Sequence, residues 1–277
     1  MKTSFITASF ITAMALSSAA NALVINPENN GTALANTILG SGISISNVNY
    51  SGADGASGTF TGGNSAGLAI DKGIVLSTGQ ATNALGPNTT NGAGTDNGAA
   101  GYAPLTDISG FTTFNASILK FDFEFNGGTG GDLFFNFVFG SEEYLEWVNS
   151  SYNDVFGFFV DGVNVALTPG SGDPITINTI NTSQNSGLFV DNTTGIYNTQ
   201  MDGFTKSLQI TLKGLSAGLH TMEFAIADAG DAVLDSWIFI EAKSFADTPV
   251  GVPEPSSLTL LGLMLAALGW SRRKAAK

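Results

Sequence analysis

The sequence predicts an all-β protein: an antiparallel β-sandwich of jelly-roll type, flanked by an N-terminal signal peptide and a short C-terminal transmembrane helix. Three observations carry this. Apolar and polar residues alternate at a spacing of two along several segments, which puts one face of each strand in a core and the other in water. Thirty-five glycines and twenty phenylalanines, with plentiful Thr and Asn, suit short strands joined by tight turns. Between two apolar runs, Asp161-Gly162 has the composition of a two-residue hairpin turn in which both residues take positive φ.

Taken in order, the chain opens with Lys2, an apolar stretch at 5–16 and a run of small residues ending in Ala20-Asn21-Ala22. This is a signal peptide over 1–22, with Ala20 and Ala22 fitting the small-residue pockets of signal peptidase. The domain then occupies 23–246. A short helix is expected within 31–39, and no other before the tail. Residues 86–101, rich in Gly, Asn and Thr without apolar period, read as an exposed, mobile loop. Phe121, Phe123 and Phe125 alternate with Asp122 and Glu124, and Phe135, Phe137 and Phe139 repeat the pattern. Residues 155–160 and 163–167 flank the Asp161-Gly162 turn. Two further strands follow from Leu208, Ile210 and Leu212, and from Met222, Phe224 and Ile226. Residues 237–240 are apolar on both parities, as in a strand buried on both faces. A linker at 247–252 leads to the tail.

The tail, 253–277, contains Pro253-Glu254-Pro255, an uncharged run at 258–270, and Arg272-Arg273-Lys274. As helix, that run spans about 20 Å, against a hydrocarbon core of about 30 Å, so it is a minimal membrane segment. The basic cluster behind it sets an Nout–Cin orientation, and the prolines break the chain before the helix starts. Pro253, Glu254 and Pro255, a short apolar helix, then Arg272 and Arg273 resemble the PEP-CTERM sorting signal of Gram-negative bacteria. The resemblance implies recognition and removal of the tail by exosortase, a membrane protease, on the way to the cell surface. The plainer alternative is a C-terminal anchor that stays in place.

Composition excludes other classes. There is no cysteine, so no disulfide framework supports the exported chain. Between residues 23 and 252 lie 22 acidic side chains (all but Glu254) and five lysines, a net charge of −17. Nucleic acid is an unsuitable partner for such a surface, whereas divalent cations are attracted to it.

Two segments concentrate acid among aromatics: Phe139-Gly-Ser-Glu-Glu-Tyr144, running on to Asn153-Asp-Val-Phe-Gly-Phe-Phe159, and Ile226-Ala-Asp-Ala-Gly-Asp231 followed by Asp235. Together with Asp202-Gly-Phe-Thr205, Gly73-Ile-Val-Leu-Ser-Thr-Gly79 and Ile175-Thr-Ile-Asn-Thr-Ile-Asn181, they resemble the choice-of-anchor L domain over nearly the whole mature chain. Leu145 and Trp147 stand where Pro and Phe are expected in that family. Its members join one extracellular domain to interchangeable surface-sorting signals, and the resemblance supplies a location, not an activity.

The residues themselves suggest calcium. If the strand ends meet at one rim, Glu142, Glu143, Asn153, Asp154, Asp228, Asp231 and Asp235 supply the oxygen donors that this ion takes. One ion is then expected to bridge Asp228, Asp231 or Asp235 to Glu142, Glu143 or Asp154. The plainer alternative is isolated turn aspartates that cap backbone N–H groups. A glycosidase pair could be drawn from Glu142, Glu143, Glu146 and Asp154, but nothing singles two of them out. His220 is the only histidine, which excludes a multi-histidine zinc site, and its place at the start of a core strand suits packing. Tyr144, Trp147 and Tyr152 read as loop aromatics able to stack on sugar, with Trp147 alternatively folding inward over the sandwich end. The reading as a whole is a non-enzymatic, exported surface or matrix protein with exopolysaccharide as a candidate partner. A secreted carbohydrate-binding or carbohydrate-active protein is the alternative.

Overall fold

The computed structural model describes residues 22–250, so Ala20 and the tail with Pro253, Glu254, Pro255, Arg272 and Arg273 lie outside the described residues. The elements in chain order are β1 (Val24–Pro27), α1 (Gly31–Ile38), β2 (Ile43–Ser51), β3 (Ser57–Thr61), β4 (Lys72–Ser77), α2 (Ala103–Ser109), β5 (Thr113–Phe125), β6 (Gly131–Ser141) and β7 (Val155–Val160). They continue with β8 (Val163–Asn164), β9 (Ile175–Thr176), β10 (Phe189–Asp191), β11 (Gly203–Thr205), β12 (Leu208–Leu215), β13 (His220–Ala229) and β14 (Ser236–Glu241). The strands form two antiparallel sheets packed as a sandwich. The first has the order β1-β3-β4-β14-β6-β11-β10, with β12 also on β6; the second runs β2-β5-β13-β7-β8, with β9 also on β7.

Period-two patterning explains the interior. Phe121, Phe123, Phe135, Phe137, Phe156, Phe158 and Phe224 all point between the sheets and are buried. Their rings meet edge-on or tilted, as Phe135–Phe158 at 4.2 Å and Phe137–Phe156 at 5.6 Å, which suits the ring quadrupole better than a face-to-face stack. The outer faces are covered too. Val138, Phe204, Trp237 and Phe239 pack beneath segments of the first sheet's own loops, and Ala225, Ala227 and Phe159 pack beneath α2. Double coverage accounts for the apolar residues of β14 on both parities.

α1 begins at Asn30, whose side chain accepts the Ala33 N–H, and lies where the sequence suggests. α2 was not expected. It has Pro104 in its first turn and Gly110 as a left-handed stop, but at seven residues it is too short for an apolar period to register. The hairpin between β7 and β8 turns at Asp161 (φ 50°) and Gly162 (φ 79°), the conformation that Asp-Gly favours. β8, however, stops at Asn164, whose Oδ1 accepts from Phe158 and Ala166 N–H and takes over the pairing. His220 packs on Phe123 at 5.3 Å; its Nδ1 lies 2.7 Å from Asp161 Oδ2 and its Nε2 lies 3.0 Å from the Ser216 carbonyl. That is a packing role.

Truncating a ring at the centre of this core should be costly. Phe137→Ala is expected to lower unfolding free energy by about 3–5 kcal/mol, and Val163→Ala, at an exposed hairpin position, by less than about 0.5 kcal/mol. Denaturant titration of both variants checks this; equal losses would contradict the assignment of the core.

Candidate functional site

Strand register gathers acids at one end of both sheets. In the first sheet, Ser141 of β6 faces Gly203 of β11 on one side and Ser236 of β14 on the other. One step further along, Asp202, Glu142 and Asp235 therefore stand in a row. In the second sheet, Val155 of β7 faces Ala227 of β13, so Asp154 stands opposite Asp228. A register shift between Ile226 and Asp228 brings Asn115 of β5, at φ 52°, beside Asp228. Such irregularities re-aim side chains at a sheet's rim. Glu142, Glu143, Asp154, Asp202, Asp228 and Asp235 are all buried.

Several of these acids are held by protein donors. Asp154 accepts from the Ala229 N–H at 3.0 Å and from the Ser236 hydroxyl at 2.6 Å, which ties the two sheets together. Asp235 accepts from the N–H groups of Thr95 and Gln80 and from Asn83 Nδ2, at 2.7, 3.2 and 3.0 Å. Gly79 lies so close to it that a Cβ there would come within 2.0 Å of Asp235 Oδ1. Asn153 caps the layer through its N–H to Ala229 O and its Oδ1 to Asn178 N–H.

The loop at 86–101 is exposed in part but is not free. Ala93 N–H donates to Glu142 Oε2 at 3.0 Å, Asn88 Nδ2 to Asp202 Oδ1 at 2.7 Å, and Asn91 Nδ2 to Glu146 at 2.8 Å. Gln200 holds Thr89 N–H and the Thr90 carbonyl, and Asp235 N–H donates to Ala93 O. Gly94 runs against Val233, where a Cβ would lie 1.7 Å from the carbonyl oxygen. The segment is a strap over the acids, and its lack of side-chain bulk lets its N–H groups reach them.

Four carboxylates keep an oxygen with no partner: Glu142 Oε1, Glu143 Oε2, Asp202 Oδ2 and Asp228 Oδ1. Asn115 Oδ1 is also unpartnered, although Asn115 Nδ2 donates to Asp228 Oδ2 at 3.0 Å. Burial drives the titration of the four carboxylates upward, since a charge loses its hydration there. It pushes Glu142 up to about 8, with Ala93 N–H opposing and Asp202 reinforcing the shift. Asp202 and Asp235 rise to about 6, again mainly through burial. Glu143 and Asp228 rise through burial and then through the neighbouring charge of Asp154; Asp154 rises through burial, with Ser236 and the Ala229 N–H opposing and Asp231 and Asp235 reinforcing the shift.

No basic side chain offsets this charge. Among the described residues the ion pairs are Lys120–Glu223 and His220–Asp161, on acids outside the layer. Asp231 is only partly buried on its turn and accepts from Val233 N–H. Among the described residues no three His, Asp or Glu side chains converge closely enough to hold a metal ion as they stand. The acids expected to bind one bridging ion thus form a layer, because Asp154 and Asp235 are already turned toward backbone donors. Asp202, Asn115 and the strap were missed by sequence reading.

The loop aromatics divide. Tyr144 is fully buried, its hydroxyl donating to Ile180 O at 2.7 Å and its ring against Phe189, so it is not a surface residue. Trp147 is 40% exposed and meets Tyr152 edge-on at 4.9 Å. A cleft of about 320 Å³ lies elsewhere, lined by Ser51, Asn97, Ala116 and Ile118 among others, without acid or aromatic side chains.

Because the folded-state values of Glu142, Asp202 and Asp235 are raised, their contribution is fully present below the ordinary carboxylate range and is lost as pH rises through the folded values. With divalent ions chelated, the melting temperature should therefore fall between about pH 4.5 and pH 8. A profile that rises across this window would contradict the buried layer.

The sequence model of the choice-of-anchor L domain matches residues 24–246, and that of the PEP-CTERM protein-sorting motif matches residues 251–274. No curated protein and no solved structure matches the chain. Neither matched family is enzymatic, and the motif marks the protein for export and exosortase-type sorting to the cell surface or beyond. With nearly all of its described residues inside the first match, the chain belongs to the choice-of-anchor L family and carries a PEP-CTERM sorting motif.

Proposed function

We propose that the protein is a non-enzymatic component of the outer surface or biofilm matrix of a Gram-negative bacterium, anchored transiently by its tail and stabilised by calcium at its acidic end. The observation that carries the sorting part is the order of elements at the C-terminus. Phe245 and Ala246 are bridged to Leu39 and Phe134, so the last residues of the domain are part of its packing. The sorting motif begins at residue 251, which leaves a linker of a few residues between folded domain and signal. Removal of the tail then frees a complete domain. A structural role agrees with the site: Asp154 and Asp235 hold strand ends and a strap, and the cleft lined by Ser51 and Asn97 has no acid.

Exopolysaccharide is the partner that one further observation favours. The exposed Trp147 and the half-buried Tyr152 form an aromatic step beside the acidic layer, and aromatic faces stack on sugar rings.

The experiment is processing in a host that carries exosortase. Pro253→Ala with Pro255→Ala should leave membrane insertion intact and cause the uncleaved chain to accumulate in the membrane fraction. Deleting residues 272–277 should impair both processing and membrane retention while the domain still folds, because the short apolar run loses its basic stop. Equal release of the proline variant and the wild type would contradict the sorting reading.

A further inference from the structure

In the row formed by Asp202, Glu142 and Asp235, like charges on adjacent strands repel, and the three are treated unequally. Asp235 has both oxygens occupied by N–H donors. Glu142 and Asp202 each have one oxygen held by the strap, through Ala93 and Asn88, and one with no hydrogen bond of good geometry, although the Gln200 side chain lies near Glu142. Both residues are 0% exposed. Two adjacent buried carboxylates, tied down by the same strap, each keep a lone oxygen that no lysine among the described residues pairs with.

We propose that Glu142 Oε1 and Asp202 Oδ2 together hold a calcium ion beneath the strap, and that this ion fastens the strap to the sandwich. The inference rests on the calcium reading above and narrows it to a pair of carboxylates, one of them outside the set that the sequence suggested. Two carboxylates balance a dication, so the site is neutral when filled. Its donors are oxygens without sulfur or imidazole, which suits a hard cation and disfavours zinc. Six to eight oxygens satisfy calcium, and two carboxylates leave room for the amide and carbonyl groups of the strap and for water. Magnesium demands a small, regular octahedron and gives up its water reluctantly, so it is the weaker ligand. Fastening the strap follows from shared carboxylates: the two that would take the ion through one oxygen accept from Ala93 and Asn88 through the other.

The test uses the exported protein as its host releases it, stripped with chelator and supplied with calcium or magnesium chloride to about 5 mM, since extracellular modules bind at about 10⁻⁴–10⁻³ M. Calcium should raise the melting temperature and slow hydrogen exchange at the Ala93 amide by about tenfold or more, magnesium doing less. Asp202→Asn should lose both responses, and so should Glu142→Gln. Asp231→Asn, on the exposed turn, should keep them. If a variant does not fold, equilibrium dialysis of the wild type decides, with at least one calcium per chain expected. A calcium response that survives Asp202→Asn but disappears in Asp154→Asn would overturn this site and leave the broader calcium reading standing. No calcium binding to the wild type would overturn both.

Discussion

Six carboxylates buried at one end of a sandwich, with no basic side chain among the described residues to pair with, are the constraint on which the rest of this structure depends. In water each would be ionised; in the interior the charge must be neutralised, hydrogen-bonded or removed by a proton. The protein uses hydrogen bonding as far as its backbone allows. Asp154 collects a strand N–H and a hydroxyl from the opposite sheet, and Asp235 collects two loop N–H groups and an amide. Gly79 and Gly94 are glycines because those approaches leave no space for a Cβ. The oxygens left over, on Glu142, Glu143, Asp202 and Asp228, define what the fold still lacks.

The core does not share this dependence. Both sheets are covered on both faces at their centres, and a dense set of phenylalanine rings fills the space between them. An exported chain without disulfides therefore rests on packing, while the raised carboxyls of its acidic end make that end the pH-dependent part. The two parts meet at Ser236, whose hydroxyl reaches Asp154 across the sandwich while its neighbours in β14 lie in the core. Loss of the acidic layer should loosen the strap and the strand ends before it unfolds the sheets.

Much of the fold was legible in the sequence. Alternating Phe in β5 and β6, the Asp-Gly hairpin and the doubly apolar β14 each give a local signal that burial later enforces. α2 gave only stop and start signals over seven residues, and Asn164 ended β8 through side-chain bonds that no period records. The site was legible as a composition and not as an arrangement. Glu142, Asp154 and Asp228 stand out as acids beside core strands, but which acids face one another is set by register between strands far apart in sequence. Asp202 precedes a three-residue strand, too short to show a pattern, and only its pairing with β6 places it beside Glu142. The strap was misjudged for a related reason: Gly, Asn and Thr without period describe a mobile loop and an extended segment pinned by its backbone equally well.

Counting protons while calcium binds tests this account most directly. Burial pushes the carboxyl of Glu142 up to about 8, which favours its protonated form at pH 7 in the absence of metal. Calcium that takes a place in the layer must displace that proton, because ligand oxygens bind in their ionised form. Calorimetric titration in two buffers of different ionisation enthalpy measures the number released. The account predicts calcium binding with release of roughly one proton per ion at pH 7, falling toward zero above about pH 9. Calcium that binds without releasing protons at pH 7 would show that the acids were already ionised and solvated, and would contradict it.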